Sequence, residues 1–181
     1  MKTIIIGNSG SGKTWLAKRL STIFTAPVVH LDDIFWEPGG FDKKRSPKEI
    51  ELLILQSQDK ASWIAEGVFG ELASHYLDAA ELLVWLDIDW PICKKRLEKR
   101  GSESKRHLDR EQSEEGLKEL LEWASHYYDR QDLRSYEGHR ATLEKFSGKK
   151  AHLRSEIAVN KFVALAQQAA GEGAGNTAAF L

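Results

Sequence analysis

The sequence predicts an open α/β fold, a parallel sheet with helices packed on both faces. Three observations carry that expectation. Short aliphatic runs alternate along the chain with segments of helical spacing, as in successive βαβ units. The runs Thr3 to Ile6 and Leu82 to Leu86 are apolar throughout rather than alternating, as strands covered on both faces are. The first four runs end on Gly7, Asp32, Glu66 and Asp87, residues that suit the ligand-binding rim at the carboxyl ends of such strands.

Taken in order, Thr3 to Ile6 reads as the first strand, and Lys13 to Ser21 as a helix with Leu16, Ala17 and Leu20 on one side. Val28 to Leu31 is the second strand. Gly39, Gly40 and the basic run Lys43 to Arg45 form a loop. Ser46-Pro47-Lys48-Glu49 is a capping box with proline at the first helical position, opening a helix to about Lys60. Trp63 to Ala65 is the third strand, followed by a helix over Glu71 to Tyr76. Leu82 to Leu86 is the fourth strand. Asp87 and Asp89 then lead into a helix with Pro91 in its first turn and Gly101 at its end. Leu117 to Tyr128 and Leu133 to Phe146 read as helices, Ala151 to Leu153 as a weaker fifth strand, and Ser155 caps a last helix to about Ala170. The tail from Gly171 to Leu181 is Gly/Ala-rich and is expected to be mobile.

The 181 residues suit one domain, with a hydrophobic fraction of 41% and a charged fraction of 29%. The net charge of -1 excludes a global affinity for nucleic acid or acidic membranes. Cys93 is the sole cysteine, so no internal disulfide forms, and it reads as a buried, inert thiol. No run approaches the ~20 apolar residues that span a bilayer. Met1 to Ile6 is too short for a secretory signal. A cytoplasmic location is expected, with no membrane partner.

Gly7-Asn8-Ser9-Gly10-Ser11-Gly12-Lys13-Thr14 fits G-x-x-x-x-G-K-[ST], the P-loop, and Trp15 follows it. The glycines let backbone amides turn inward around a β-phosphate. Lys13 would reach the β- and γ-phosphates, and Thr14 would place its hydroxyl on Mg²⁺. The helix that starts at Lys13 directs its positive end to the same anion. A strand before and a helix after complete the required context. ATP with Mg²⁺ is the expected ligand pair, although the loop reads phosphates and leaves ATP and GTP undistinguished.

Acids stand at the strand ends. A carboxylate there suits a water on Mg²⁺ or the proton of an attacking hydroxyl. On an extended chain Asp32 and Asp33 would point opposite ways, one toward the phosphates. Glu66 is a candidate for the second acid near Mg²⁺, alongside Thr14 and Asp33. Asp87 and Asp89 read as starters of the next helix, and His30 as a satisfied core residue. Lys94, Lys95, Arg96, Lys99, Arg100, Lys105, Arg106 and Arg110, less three acids, concentrate a charge of +5. Arg96 and Arg100 share a helix face and could grip a transferring phosphoryl group. A solvated face or a nucleic-acid contact are the other readings of this stretch. Trp36, Phe41 and Phe69 are weak candidates for walls of an acceptor pocket.

These residues together resemble a family. The P-loop, His30-Leu31-Asp32 with Trp36-Glu37-Pro38, Trp63-Ile64 with Glu66-Gly67, and Arg96 with Arg100 resemble the adenylate-kinase-related P-loop proteins called DNA topology modulation proteins. The likeness runs on through Leu121, Trp123, Tyr127 and His139 to Leu153-Arg154-Ser155 and covers about residues 1 to 170. More broadly the chain is similar to nucleoside monophosphate kinases and shikimate-type kinases. That resemblance implies a three-layer P-loop NTPase fold with strand order 2-3-1-4-5. It also implies an acceptor-binding segment over about residues 34 to 60, a helical lid over about 101 to 134, and Arg154 beside the adenine. Arg134 and Arg140 would be further lid arginines. The motif Glu66-Gly67-Val68-Phe69-Gly70 departs from the Asp-Gly-Phe-Pro-Arg of adenylate kinases and lacks its monophosphate-gripping arginine.

The resulting expectation is a small-molecule kinase. Lys13, Arg96 and Arg100 would act on the γ-phosphoryl group, and Asp32 or Asp33 on an acceptor hydroxyl. The rivals are a nucleotide-dependent nucleic-acid-binding protein and a simple NTPase.

Overall fold

The computed structural model describes residues 1–38, 43–68, 70–101 and 110–172. Phe41, Phe69, Lys105, Arg106 and nearly all of the tail lie outside them, as does the Arg110 side chain.

Five strands form one parallel sheet: β1 (Lys2–Gly7), β2 (Val28–His30), β3 (Trp63–Glu66), β4 (Leu82–Leu86) and β5 (Lys149–Leu153), in spatial order β2-β3-β1-β4-β5. Both faces are covered. Ile4, Ile6, Trp63, Ala65, Leu83 and Trp85 join one apolar layer, and Ile5, Ile64, Leu82, Val84 and Leu86 join the other. The period of two divides each strand between two cores, so its sequence is apolar throughout.

Helices α1 (Lys13–Phe24) and α8 (Glu156–Gly171) supply Leu16, Leu20, Val159 and Val163 to the second layer. Helices α3 (Pro47–Gln58) and α4 (Gly70–Leu77) supply Ile54, Leu72 and Tyr76 to the first, and Leu143 of α7 (Tyr136–Lys145) packs against it. Helices α2 (Leu31–Phe35), α5 (Trp90–Arg100) and α6 (Arg110–Ser125) frame the rim above the carboxyl ends of the strands.

The capping box holds: Glu49 N donates to Ser46 Oγ at 3.3 Å, and Ser46 N to Glu49 Oε2 at 2.9 Å. Ser155 caps α8 by accepting from Ala158 N at 3.1 Å. Two expectations change. The chain after His30 is not extended but turns at once into α2, so Asp32 and Asp33 sit on a helix. The two helices near the carboxyl end are shorter or shifted. Helix α6 stops at Ser125 in a 3-10 turn over His126–Tyr128, and α7 starts only at Tyr136, where Ser135 Oγ accepts from Gly138 N at 3.1 Å. No helix among the described residues is long and apolar enough to cross a membrane.

Candidate active site

The P-loop joins β1 to α1 and is clamped from outside. A side chain at Gly7 would put its first carbon 2.5 Å from the Leu86 carbonyl oxygen, and one at Gly10 would stand 2.5 Å from that of Cys93. Both residues, like Gly12, adopt positive φ, where glycine is favoured. The loop is therefore wedged between the end of β4 and the start of α5. Arg96 on α5 seals it by donating Nη1 to the carbonyls of Gly10 at 3.2 Å and Ser11 at 2.9 Å, while its Nη2 pairs with Glu156 at 2.6 Å. Asn8 Oδ1 accepts from Ser9 N at 2.8 Å, and its Nδ2 reaches across to the Ala124 carbonyl of α6 at 3.0 Å. Gly12 stands at the N-cap of α1 and gives no side-chain cap, so the first N–H groups of the helix have no side-chain acceptor from it. Ser11 Oγ is buried and unpartnered among the described residues.

Lys13 is buried and donates to the Asn8 carbonyl at 2.8 Å. Burial lowers its pKa, and the charges of Glu66 and Asp32 offset that only in part. Thr14 Oγ1 donates to Glu66 Oε1 at 3.0 Å. His30 Nδ1 lies 2.6 Å from the same oxygen. Burial alone would raise the pKa of Glu66, but the His30 bond, the Lys13 charge and the Thr14 hydroxyl outweigh it and hold the carboxyl below its usual range. Burial raises the pKa of Asp32; Glu66 and Asp33 add to that effect against the pull of Lys13.

A cavity of about 590 Å³ opens over the loop. Ser9, Gly10, Gly12, Lys13, Thr14 and Trp15 line one part of it, with Arg96 and Arg100 of α5. Asp32, Trp36, Glu66 and Val68 line it from the ends of β2 and β3, and Gly116, Glu119, Leu120, Trp123 and Arg134 complete it. Trp15 is 45% exposed. Arg130 stacks over Trp123 at 3.7 Å, and Arg134 Nε pairs with Glu71 at 3.1 Å.

Of the two adjacent aspartates, Asp32 reaches the cavity. Asp33 is exposed on the other side of α2 and lends only its carbonyl, to Arg45 Nε at 3.4 Å. Arg154 is also apart, 69% exposed and 3.6 Å from Asp87. Asp87 does not start a helix. It is buried against β5, with His152 Nε2 at 2.9 Å, and His152 stacks on Trp85 at 4.1 Å. Asp89 does occupy the position before α5 but makes no side-chain cap. His30 is a rim residue bound to Glu66, not a core one. Cys93 is the inert thiol expected, its pKa raised to about 11 by burial. Where adenylate kinases carry the monophosphate-gripping arginine, this chain has Gly70, and a side-chain carbon there would collide with the Leu133 carbonyl.

No family model matches the chain, and neither does any curated protein. Among solved structures, a gluconokinase from Sinorhizobium meliloti 1021 is similar over 97% of this chain and 94% of its own, with a TM-score of 0.51 and 11% identity. The likeness is one of fold. Two further likenesses have TM-scores of 0.49. They are to a deoxyadenosine kinase from M. mycoides, at 15% identity over 96% of this chain and 100% of its own, and a shikimate kinase from Bacteroides thetaiotaomicron, at 14% over 93% and 96%.

Sequence reading missed the His30–Glu66 pair and the Asn8–Ala124 bond, because each joins residues remote in sequence. Only the strand register, with His30 opposite Glu66, could have indicated the first.

Proposed function

We propose that the protein is a kinase that transfers the γ-phosphoryl group of ATP to a hydroxyl of a small molecule. One observation carries this reading: the cavity over the P-loop continues past Lys13 to a half-buried carboxylate, Asp32, and two indoles, Trp36 and Trp123. A simple NTPase needs an ordered water there and no such chamber.

Backbone amides of the P-loop and Lys13 would hold the phosphates, and Trp15 lies beside them. The donors near Thr14 are hard oxygens, the hydroxyl of Thr14 and the carboxylate of Glu66 3.0 Å from it, and they fit Mg²⁺, which keeps most of its waters and takes few protein ligands. No cluster of three or more His, Cys, Asp or Glu side chains able to hold a metal occurs among the described residues. When bound, Mg²⁺ supplies charge neutralisation on the phosphate oxygens. In the transfer, the acceptor oxygen bonds to the γ-phosphorus as the bond to the β–γ bridging oxygen breaks. Asp32 takes the hydroxyl proton, and ADP leaves. Burial makes Asp32 a stronger base than an ordinary carboxylate. Arg100 and Arg96 would stabilise the transferring group, Arg96 while bracing the loop.

Gly70 leaves no room for the arginine that grips a monophosphate in adenylate kinases, so AMP is disfavoured as acceptor. A nucleic-acid role of the DNA topology modulation type would draw on Lys94, Lys95 and Lys99, all exposed on α5. The test is ATP consumption with Mg²⁺ against nucleosides, nucleoside monophosphates, sugars and cyclitols, with Lys13→Ala as control. Stimulation by one compound, lost in the control, is the expected result. Nucleotide binding with equal turnover in every mixture would sink the kinase reading.

A further inference from the structure

The carboxylate of Glu66 is held from two sides. Parallel pairing of β2 with β3 sets His30 directly beside Glu66 in register. The imidazole Nδ1 stands 2.6 Å from Oε1, and the Thr14 hydroxyl stands 3.0 Å from the same atom. An ionised carboxylate only accepts, so both neighbours donate. His30 donates from Nδ1 whether its ring is neutral or charged, so the arrangement does not depend on its titration. Two consequences follow, one for Thr14 and one for Glu66. Its one hydroxyl proton is committed to Glu66, which turns its oxygen lone pairs away from the carboxylate. Glu66 Oε2, with no hydrogen bond among the described residues, is left for a water in the shell of a cation.

We propose that His30 is a positioning residue for magnesium, fixing the Glu66 carboxylate so that Thr14 and Glu66 face a nucleotide-bound Mg²⁺ in a set geometry. This rests on the ATP·Mg²⁺ reading of the P-loop. Glu66 is buried while the His30 side chain is 33% exposed, so the ring braces the acid from the rim and can be replaced with little disturbance to the core. Without its donor the carboxylate keeps only the Thr14 bond and is free to rotate about its own axis. Outer-shell partners of this kind set metal affinity by about 10- to 100-fold.

Two substitutions separate the donor from the bulk of the ring. His30→Phe keeps a ring and loses the donor. His30→Asn loses the ring and keeps an N–H near the place of Nδ1. ATP is titrated into each protein with Mg²⁺ and again with EDTA, following heat release. The expected result is that affinity in EDTA stays within about twofold of the native chain, while the gain from Mg²⁺ falls at least about tenfold in His30→Phe and is largely regained in His30→Asn. An equal Mg²⁺ gain in all three proteins would overturn the proposal. So would the reverse order, with His30→Phe native-like and His30→Asn impaired, because a space-filling role predicts that. Failure of the native chain to bind ATP in either buffer would instead remove the P-loop reading on which the proposal stands.

Discussion

Asp32 and Asp33 are adjacent and chemically identical, yet the turn of α2 gives them different tasks. Asp32 faces the cavity, and burial raises its pKa. Asp33 faces water. If Asp32 takes the acceptor proton, Asp32→Asn should lower kcat by roughly 10²- to 10⁴-fold and leave the ATP Kd nearly unchanged. Asp33→Asn should leave both within about twofold. Steady-state kinetics on the acceptor found by screening, with calorimetry for ATP, would check the pair, and equal losses in both variants would refute the assignment. The sequence could narrow the choice to these two residues but not decide it. The decision rests on whether the chain after His30 is strand or helix, and a five-residue helix held by tertiary packing leaves little periodicity to read. The P-loop was legible because every residue in it has a local job. The His30–Glu66 pair was not, because 36 residues separate its members.

At the level of elements, a buried polar chain fastens the end of α6 and the start of α7 to β4. Trp85 Nε1 donates to the Tyr127 hydroxyl at 3.0 Å, and that hydroxyl lies 2.7 Å from His139 Nδ1. Indole is a donor only, so Tyr127 accepts from Trp85 and gives its own proton to His139, which must be neutral with Nδ1 bare. Burial agrees, pushing the His139 pKa from 6.5 down to about 3. The unfolded chain takes up this proton near the ordinary value, so unfolding binds a proton between about pH 6.5 and 3. Stability therefore falls with pH across that window, by up to about 1.4 kcal/mol per pH unit from this group. His30, raised by its bond to Glu66, acts in a different window: its contribution is complete below the ordinary value and is lost as pH climbs through the raised one. His139→Asn keeps an acceptor near the Nδ1 position and cannot titrate. Urea unfolding at a series of pH values should show a shallower acid slope for this variant, and an unchanged slope would contradict the buried neutral ring. The anchor also bears on the segment from 101 to 134, which the resemblance implies is a lid. Whatever part of residues 101 to 134 moves, the stretch from Ala124 to Tyr127 is buried at both ends and tied to the P-loop and β4. If that segment closes over a ligand, the described residues expected to move are those of α6 before Ala124.

At the scale of the whole molecule, the sheet was the most legible feature. The β-branched run Ile4, Ile5 and Ile6, closed by Gly7, reads as a strand covered on both faces, and all three are buried; β4 is likewise buried throughout. The edge strand β5 was read short because Lys149 and Lys150 are exposed, as edge residues often are. Helix limits near the carboxyl end were misjudged for a related reason: apolar Leu133 is exposed, and Tyr127 is buried outside any long helix. A ligand that binds only the folded chain should stabilise all of it. ATP with Mg²⁺ at about 100 times its Kd should add about 2.7 kcal/mol, or about 5–10 °C in Tm for a chain of this size. Lys13→Ala should abolish most of that shift in a thermal melt, and an undiminished shift would place the nucleotide elsewhere.

The bond from Asn8 to the Ala124 carbonyl is 3.0 Å long and joins the P-loop to the far end of a helix lining the same cavity. Such a bond makes the two parts a linked equilibrium. If the loop holds a nucleotide as proposed, a second ligand that draws α6 toward one position would alter the nucleotide affinity through this bond, and the nucleotide would alter that ligand's affinity by the same factor. On that reading the amide of Asn8 would serve as a coincidence gate, with the cost of arranging the loop shared between two guests rather than met by either alone.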